Sequence, residues 1–351
     1  MNSNSIYING REIGASGPVY VIAELSANHG HSFDQAVAII HAAKAAGADA
    51  VKVQTYTPET ITINSENSYF RVGGGTLWDG RNLYDLYREA YTPWEWQPQL
   101  KKIANAVGLD FFSSAFDPSA VEFLETLDVP AHKVSSFELV DIPLIQKMAA
   151  TGKPLIMSTG MATLDEISEA VQAARHAGAS EIALLKCTSA YPATPEEMHL
   201  RTIPELASRF GVPAGLSDHT LGIAVPVAAA ALGACVIEKH LTLSRAAGGP
   251  DAAFSLQPEE FKAMVDAVRV AEKSLGEVRF GTGAREATRF RRSLFVVEDV
   301  RRGDTFTPAN IRSIRPADGL HTRHLPEVLG QKAACDIERG TPLRWELVHK
   351  R

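Results

Sequence analysis

Short β-branched and apolar runs alternate with alanine-rich helical segments through most of the chain, and this alternation constrains the fold more than any other feature. Strands are predicted at 19–26, 50–56, 110–116, 131–137, 154–159, 182–191, 214–220 and 235–243, with helices at 33–46, 93–107, 119–127, 164–177 and 223–232. Several helical runs end in glycine (AAGAD, HAGAS, ALGAC), the residue that closes a helix in left-handed backbone before the chain re-enters a strand. Eight β–α steps fit a closed (β/α)8, or TIM, barrel of the α/β class. The competing fold is an open doubly wound sheet, but no GxGxxG follows the first strand.

Two segments break the rhythm. Residues 57–92, after the second strand, hold Gly73–Gly75 and the aromatic string LWDGRNLYDLYREAY. A long βα connection opens on the C-terminal face of a barrel, so a lid or substrate loop is expected there, the alternative being an insertion without a role. The second break, 276–292, is a polar Gly- and Arg-containing linker. Beyond it, SLFVVEDVRRGDTFTPANI and ACDIERGTPL repeat a strand followed by an RGD or RGT turn. The expected organisation is a barrel at 1–275, a linker at 276–292 and a small β-rich module at 293–351.

The remaining composition narrows the partners. With 351 residues, 45% hydrophobic and 22% charged, the chain is ordinary globular material, and its formal charge of −6 offers no global positive field for nucleic acid. Cys187, Cys235 and Cys335 lie far apart with no CxxC spacing, which fits neither a disulfide framework nor a thiolate zinc site. No signal-like segment opens the sequence. The longest apolar run, 222–237, contains Pro226 and falls short of the ~20 residues of a membrane span. It reads as a buried helix running into a strand, and a cytoplasmic location without membrane contact is expected.

Polar residues stand where a barrel interior should be dry. Strand alternation sends one parity into the lumen and the other against the helices. In AVKVQ, Val51 and Val53 share one face and Lys52 and Gln54 the other, so Lys52 is expected in the lumen. The fourth strand, HKVSSFE, adds Lys133, Ser136 and Glu138. A buried ammonium is costly without a counter-charge. Two lysines converging on one lumen therefore ask for a polyanion such as a phosphate-bearing carboxylate, with Ser114, Ser136, Ser158 and Ser217 as neutral donors. The competing reading is that one lysine pairs with a nearby glutamate or snorkels out.

The seventh and eighth strands end GLSDHT and VIEKHL, placing His219 and His240 at matching parities on adjacent strands. With Glu24 in AELSANHG and Asp251 in GGPDAAFS, they make an N/O set that suits Mn²⁺, Co²⁺ or Mg²⁺ with open water positions. A strand histidine is more ordinarily a hydrogen-bonded core residue, and both readings stay open. His29, His31, His321 and His324 carry no such context and are expected on surfaces or loops. Lys186 has the opposite parity from Ser189 and Tyr191, so it is expected against the helices.

The strings AELSANHG, VKVQT, KVSSFE, STGMAT, LSDHT, EKH and GGPDAAFS, in this order, resemble the nonulosonic (sialic) acid synthases. These are phosphoenolpyruvate-dependent barrel enzymes with a C-terminal SAF (antifreeze-like) domain, which the tail resembles. The long-loop string GTLWDGRNLYDLYREAYTPWEW, KVSSFE, LLKCTSAYPA and EKHLTLSRAAGGPDAAFSL resemble the pseudaminic acid branch more than the N-acetylneuraminate or legionaminate branches. Ala115 stands where related sequences carry proline, a change expected to alter a turn.

The resemblance implies His219 and His240 as metal ligands, with Mn²⁺ first and Mg²⁺ or Co²⁺ as alternatives. It implies Lys52, Ser114, Lys133, Ser136, Ser158, Ser189, Tyr191 and Ser217 as phosphoenolpyruvate contacts, and Glu24, Glu138 and Asp251 as the catalytic carboxylates. Position 189 is Ser where the neuraminate branch often has Asn. Arg315, in IRPADGL, resembles an arginine that the SAF domain inserts into the partner's barrel, implying a domain-swapped homodimer. The implied reaction joins phosphoenolpyruvate to an amino-sugar aldehyde with release of phosphate. A Schiff-base aldolase and a non-enzymatic sugar-binding protein are the rivals from other classes.

Overall fold

A computed structural model describes residues 5–281 and 288–349; positions 282–287 of the expected linker lie outside the described residues. The chain divides into two compact units, Met1–Gly276 and Glu277–Arg351.

The first unit opens with an antiparallel hairpin, β1 (Ser5–Ile8) and β2 (Arg11–Gly14), that the strand reading above does not contain. Its turn is Asn9-Gly10 with φ of 48° and 77°, the paired left-handed backbone of a two-residue hairpin. Ile6, Ile8 and Ile13 are buried in one cluster with Tyr20, Ile22 and Ala50, which begin barrel strands. The hairpin thus plugs the N-terminal end of the barrel.

Eight parallel strands follow: β3 (Tyr20–Glu24), β4 (Ala50–Thr55), β5 (Asp110–Ala115), β6 (His132–Val134), β7 (Leu155–Ser158), β8 (Ile182–Cys187), β9 (Ala214–Asp218) and β10 (Val236–His240). Each pairs with its chain neighbour and β10 returns to β3, closing the barrel. All eight expected strands are present, each shorter than its apolar run. The 131–137 run stops at Val134 and turns through Ser136–Val140, and the 182–191 run stops at Cys187. Ser136, Glu138, Ser189 and Tyr191 therefore sit on loops beyond the strand ends, where parity no longer orients them. Ala115 closes β5, buried opposite Thr55, rather than lying in a turn.

The outer helices bury one face each. Phe33–Ala45, for example, is capped by Ser32 and buries Ala36, Ile39, Ile40 and Ala43, which pack with the outward residues Val51 and Val53. After Gly222 the apolar run becomes the helix Ala224–Ala231 and then β10. No helix among the described residues is long and apolar enough to cross a membrane.

The second unit pairs β11 (Ser293–Val296) with β12 (Ile311–Ile314), and adds isolated bridges such as Val300 to Ile337 and Thr305 to Lys332. Leu294, Val296, Phe306, Ile311, Val328 and Leu343 form its own core. The RGD and RGT strings make turns at Gly303 and Gly340, both at positive φ.

Candidate active site

Register layers the lumen. Ladder partners on neighbouring strands include Ile22 with Ala50 and Leu185 with Gly215, apolar pairs in the lower part of the lumen. Gly215 is required there, since a Cβ would lie 2.3 Å from the Val236 carbonyl oxygen and 2.9 Å from Leu185. At the C-terminal ends the partners become polar: Glu24 to Lys52, Gln54 to Ser114, Ser114 to Lys133, Cys187 to Ser217, and Ser217 to Glu238. One register therefore turns a dry core into a polar floor within a single tier.

That floor opens into a cavity of about 570 Å³. It is lined by Glu24, Lys52, Lys133, Ser136, Glu138, Ser158, Ser189, Tyr191, Ser217, His219, His240 and Asp251. Of the expected barrel residues only Ser114 does not line it; it lies behind and accepts a hydrogen bond from Lys52 Nζ at 3.0 Å. Lys186 is directed away, donating to the Cys187 carbonyl. Arg315 is exposed, just after β12 in the second unit.

The two lysines differ. Lys52 Nζ lies 2.7 Å from Glu24 Oε2 and 3.5 Å from Glu238 Oε1, so the ordinary reading, a lysine paired with glutamate, holds for it. Burial opposes its charge, but Glu238 and Glu24 raise its pKa above the usual lysine value. Lys133, only 1% exposed, donates to Ser158 Oγ at 2.7 Å and to the Val134 carbonyl at 2.9 Å. It makes no salt bridge among the described residues, and burial pulls its pKa down. Glu238 favours its charged form from beyond salt-bridge distance, but no carboxylate contacts the ammonium directly.

Beside Lys133, Ser136 and Ser189 share a hydroxyl contact at 2.9 Å. The turn after β7 presses against both: at Gly160, with φ +43°, a Cβ would lie 2.3 Å from Ser136 Cβ and 2.8 Å from Ser189 Oγ. Glycine lets the backbone close that side of the floor.

Glu138 is the unpaired carboxylate. Its Oε2 is buried without a partner, and desolvation pushes its pKa up to about 7. Asp251 accepts from Ser26 Oγ and from the Ala27 amide at 3.3 Å, and burial raises its pKa.

His219 and His240 come together, ring centroids 5.3 Å apart, with Phe254 edge-on to both. In the neutral ring His219 Nδ1–H donates to the Thr188 carbonyl at 3.0 Å and Nε2 is the acceptor; burial opposes protonation, but neighbouring Cys187 raises the ring's pKa. His240 Nδ1 is buried with no partner, and burial holds the ring neutral. The four-member N/O set is not assembled: Glu24 is held by Lys52 and Asp251 by Ser26. Among the described residues, no three His, Cys, Asp or Glu side chains gather as a metal cage. The chain offers two imidazoles. His29 also departs from expectation: it is fully buried, with Nε2 3.2 Å from Thr92 Oγ1.

Several lining residues are not among the expected site residues. Ser26 and Gln54 follow Glu24 and Lys52 by two positions, and Gln54 Nε2 donates to Ser26 Oγ at 2.9 Å. Glu238 bridges Lys52 and Ser217, the latter donating at 3.1 Å. Parity places Gln54 and Glu238 in the lumen, whereas Ser26 lies in the turn beyond β3, where parity does not apply. Trp78 donates to the Pro250 carbonyl at 3.1 Å and packs on Tyr191, contacts that no local pattern signals.

Comparison with known proteins agrees with this layout. The NeuB family model matches residues 39–280 and the SAF domain model residues 291–348. The pseudaminic acid synthase of Helicobacter pylori is 45% identical over 329 residues, covering 93% of this chain and 96% of that protein. The N,N'-diacetyllegionaminic acid synthase of Legionella pneumophila is 33% identical, covering 97% of each chain. A crystal structure of N-acetylneuraminic acid synthetase from Leptospira borgpetersenii, in complex with citrate, superposes with a TM-score of 0.72 at 30% identity. It covers 81% of this chain and 94% of that one. By sequence and by fold, the chain belongs to the NeuB family and carries a C-terminal SAF domain.

Proposed function

We propose that the chain condenses phosphoenolpyruvate with the open-chain aldehyde of 2,4-diacetamido-2,4,6-trideoxy-L-altropyranose, giving pseudaminic acid and phosphate. The observation that carries the first substrate is Lys133, an ammonium buried in the floor among serines with no carboxylate in direct contact. A phosphorylated carboxylate supplies the missing charge, and Ser136, Ser158 and Ser189 offer donors to its oxygens. The second substrate rests on identity, 45% to a pseudaminic acid synthase against 33% to a legionaminic acid synthase.

His219 and His240 are proposed to hold a divalent ion, Mn²⁺ first and Mg²⁺ or Co²⁺ as alternatives. The accepting Nε2 of His219 and the unpartnered ring of His240 fit an N-donor pair whose other positions go to oxygen. When bound, the ion supplies Lewis-acid polarisation of the aldehyde carbonyl.

The chain's own groups carry the rest. Lys133 and the serines fix the enolpyruvate so that C3 faces the aldehyde carbon. As the C–C bond forms, Glu138, poised near neutrality, protonates the aldehyde oxygen. Water oriented by Glu24 and Asp251 adds to the electron-poor C2. Its proton passes to a carboxylate. The C2–O bond then breaks, phosphate leaves with the electron pair, and the C2 hydroxyl loses its proton to give the ketone. Arg315 of a second copy is proposed, on the family resemblance, to complete the sugar site in a domain-swapped dimer.

The test is phosphate release from phosphoenolpyruvate with Mn²⁺, offering the diacetamido-trideoxy altrose, N-acetylmannosamine or the legionaminate precursor, each with and without EDTA. Turnover with the altrose sugar alone, abolished by EDTA, is expected. Turnover with another sugar overturns the branch, and EDTA-indifferent turnover overturns the metal.

A further inference from the structure

The cavity has two chemically different ends. Its floor holds Lys52 and Lys133, the only lysine or arginine side chains that line it among the described residues. Its outer wall is mainly apolar, carried by Ile61, Val72, Leu83, Leu86 and Tyr87 of the long β4 connection and by Phe116 after β5, with Thr76 a polar exception.

This wall is a built surface. Tyr56 packs edge-on against Tyr87 and Phe116, with ring centroids at 5.6 and 5.1 Å. The segment's own bonds hold its shape: Tyr84 Oη donates to Glu59 at 2.5 Å, Asn82 Nδ2 to the Ser65 carbonyl at 2.7 Å, and the Val72 amide to the Arg81 carbonyl at 2.9 Å. Trp78 fastens it to Pro250 across the mouth.

We infer that this wall is the specificity surface for the far end of the sugar, and that it selects a deoxygenated methyl terminus over a hydroxymethyl or phosphorylated one. The inference rests on the condensation reading, which places the aldehyde at the floor and leaves the opposite end of the chain to the wall. A hydroxymethyl group entering among Ile61, Val72, Leu83 and Leu86 gives up water to side chains that offer no hydrogen bond, the Thr76 and Tyr87 hydroxyls being the polar exceptions on this side. A phosphorylated terminus fares worse. Lys52 is committed to Glu24 and Glu238, Lys133 to the enolpyruvate anion, and the wall brings no cation.

The experiment compares kcat/KM for the diacetamido sugar bearing methyl, hydroxymethyl or phosphomethyl at its terminal carbon, in the wild type and in Val72→Thr and Leu83→Gln. The wild type is expected to favour methyl over hydroxymethyl by roughly 10- to 100-fold, the range an apolar pocket achieves against an added hydroxyl, and to leave the phosphorylated sugar unused. In the variants the methyl-to-hydroxymethyl ratio should fall toward one, a change that general loss of stability would not produce. Equal use of methyl and hydroxymethyl sugars by the wild type, turnover of the phosphorylated sugar, or a ratio unchanged in both folded variants overturns the inference. Consumption of phosphoenolpyruvate with none of the sugars removes the condensation reading itself, and this inference with it.

Discussion

Lys133→Met is expected to weaken phosphoenolpyruvate binding by about 100-fold or more while leaving the unliganded protein at least as stable as the wild type. The two effects have one cause. In the ligand-free chain the Lys133 ammonium has two neutral acceptors, Ser158 Oγ and the Val134 carbonyl, and no salt bridge among the described residues. Methionine fills similar volume without the desolvation cost. The same charge is what an enolpyruvate phosphate would be drawn to, so its removal strips the ligand of its main partner. Lys52→Met is the control. It leaves Glu24 and Glu238 buried without their partner and should cost about 3–5 kcal/mol of stability. Thermal unfolding with and without phosphoenolpyruvate reads all of this. The wild-type Tm should rise with ligand, and that of Lys133→Met should start no lower and fail to rise. A ligand-induced shift retained by Lys133→Met would contradict the assignment.

Glu138→Gln is expected to lower kcat by about 10²- to 10⁴-fold, the usual contribution of a positioned acid. The wild-type rate should fall as pH rises through about 7, where burial has placed the Glu138 carboxyl, and the residual rate of the variant should lack that limb. Stability moves the other way. A carboxyl whose folded pKa lies above its unfolded value binds more protons in the native state between those two values, so stability is lost as pH rises from about 4.5 to about 7. Glutamine cannot ionise. Above pH 7 the variant should therefore be more stable than the wild type, by up to about 3 kcal/mol. Paired pH–rate and pH–Tm profiles check both limbs. A variant less stable at pH 8, or a rate that keeps its alkaline limb, would contradict this role.

The opposite signs expected for activity and stability at Lys133 and Glu138 follow from how the barrel is built. The ladder sets Lys133 beside Ile156 and Ser158 beside Leu185, so charged and polar groups stand directly against the apolar lumen, where water is scarce. Groups that depress stability in the empty state are retained where a ligand or a reacting atom needs them.

That tier was largely legible in the sequence. Two-residue periodicity on AVKVQ separates Lys52 and Gln54 from Val51 and Val53, and the ladder orients them accordingly. It also puts Lys186 on the outside. Periodicity failed where strands ended early. Ser136, Glu138, Ser189 and Tyr191 reach the cavity from loops, and their placement depends on a close approach at Gly160 and on Tyr191 packing against His219, neither of which has a local signature. The carboxylates show a second limit. Chain order puts Glu24 and Asp251 near the histidines but does not reveal that Lys52 and Ser26 already hold them. The N-terminal hairpin is a different case: Asn9-Gly10 between alternating apolar residues is a strong local turn signal, and the structure forms the turn there. His29 was misplaced because its burial comes from Thr92 and Trp96, which lie far along the chain.

We propose that the Lys133 floor holds phosphoenolpyruvate for condensation with a sugar aldehyde. The most direct test follows phosphoenolpyruvate, inorganic phosphate and 2-keto acid product together in one Mn²⁺-containing reaction with the diacetamido-trideoxy altrose. Loss of phosphoenolpyruvate is expected to equal gain of phosphate and of product at every time point, with none of the three changing without sugar. Phosphate released without sugar, or a pyruvate adduct of a barrel lysine trapped by borohydride, would contradict it.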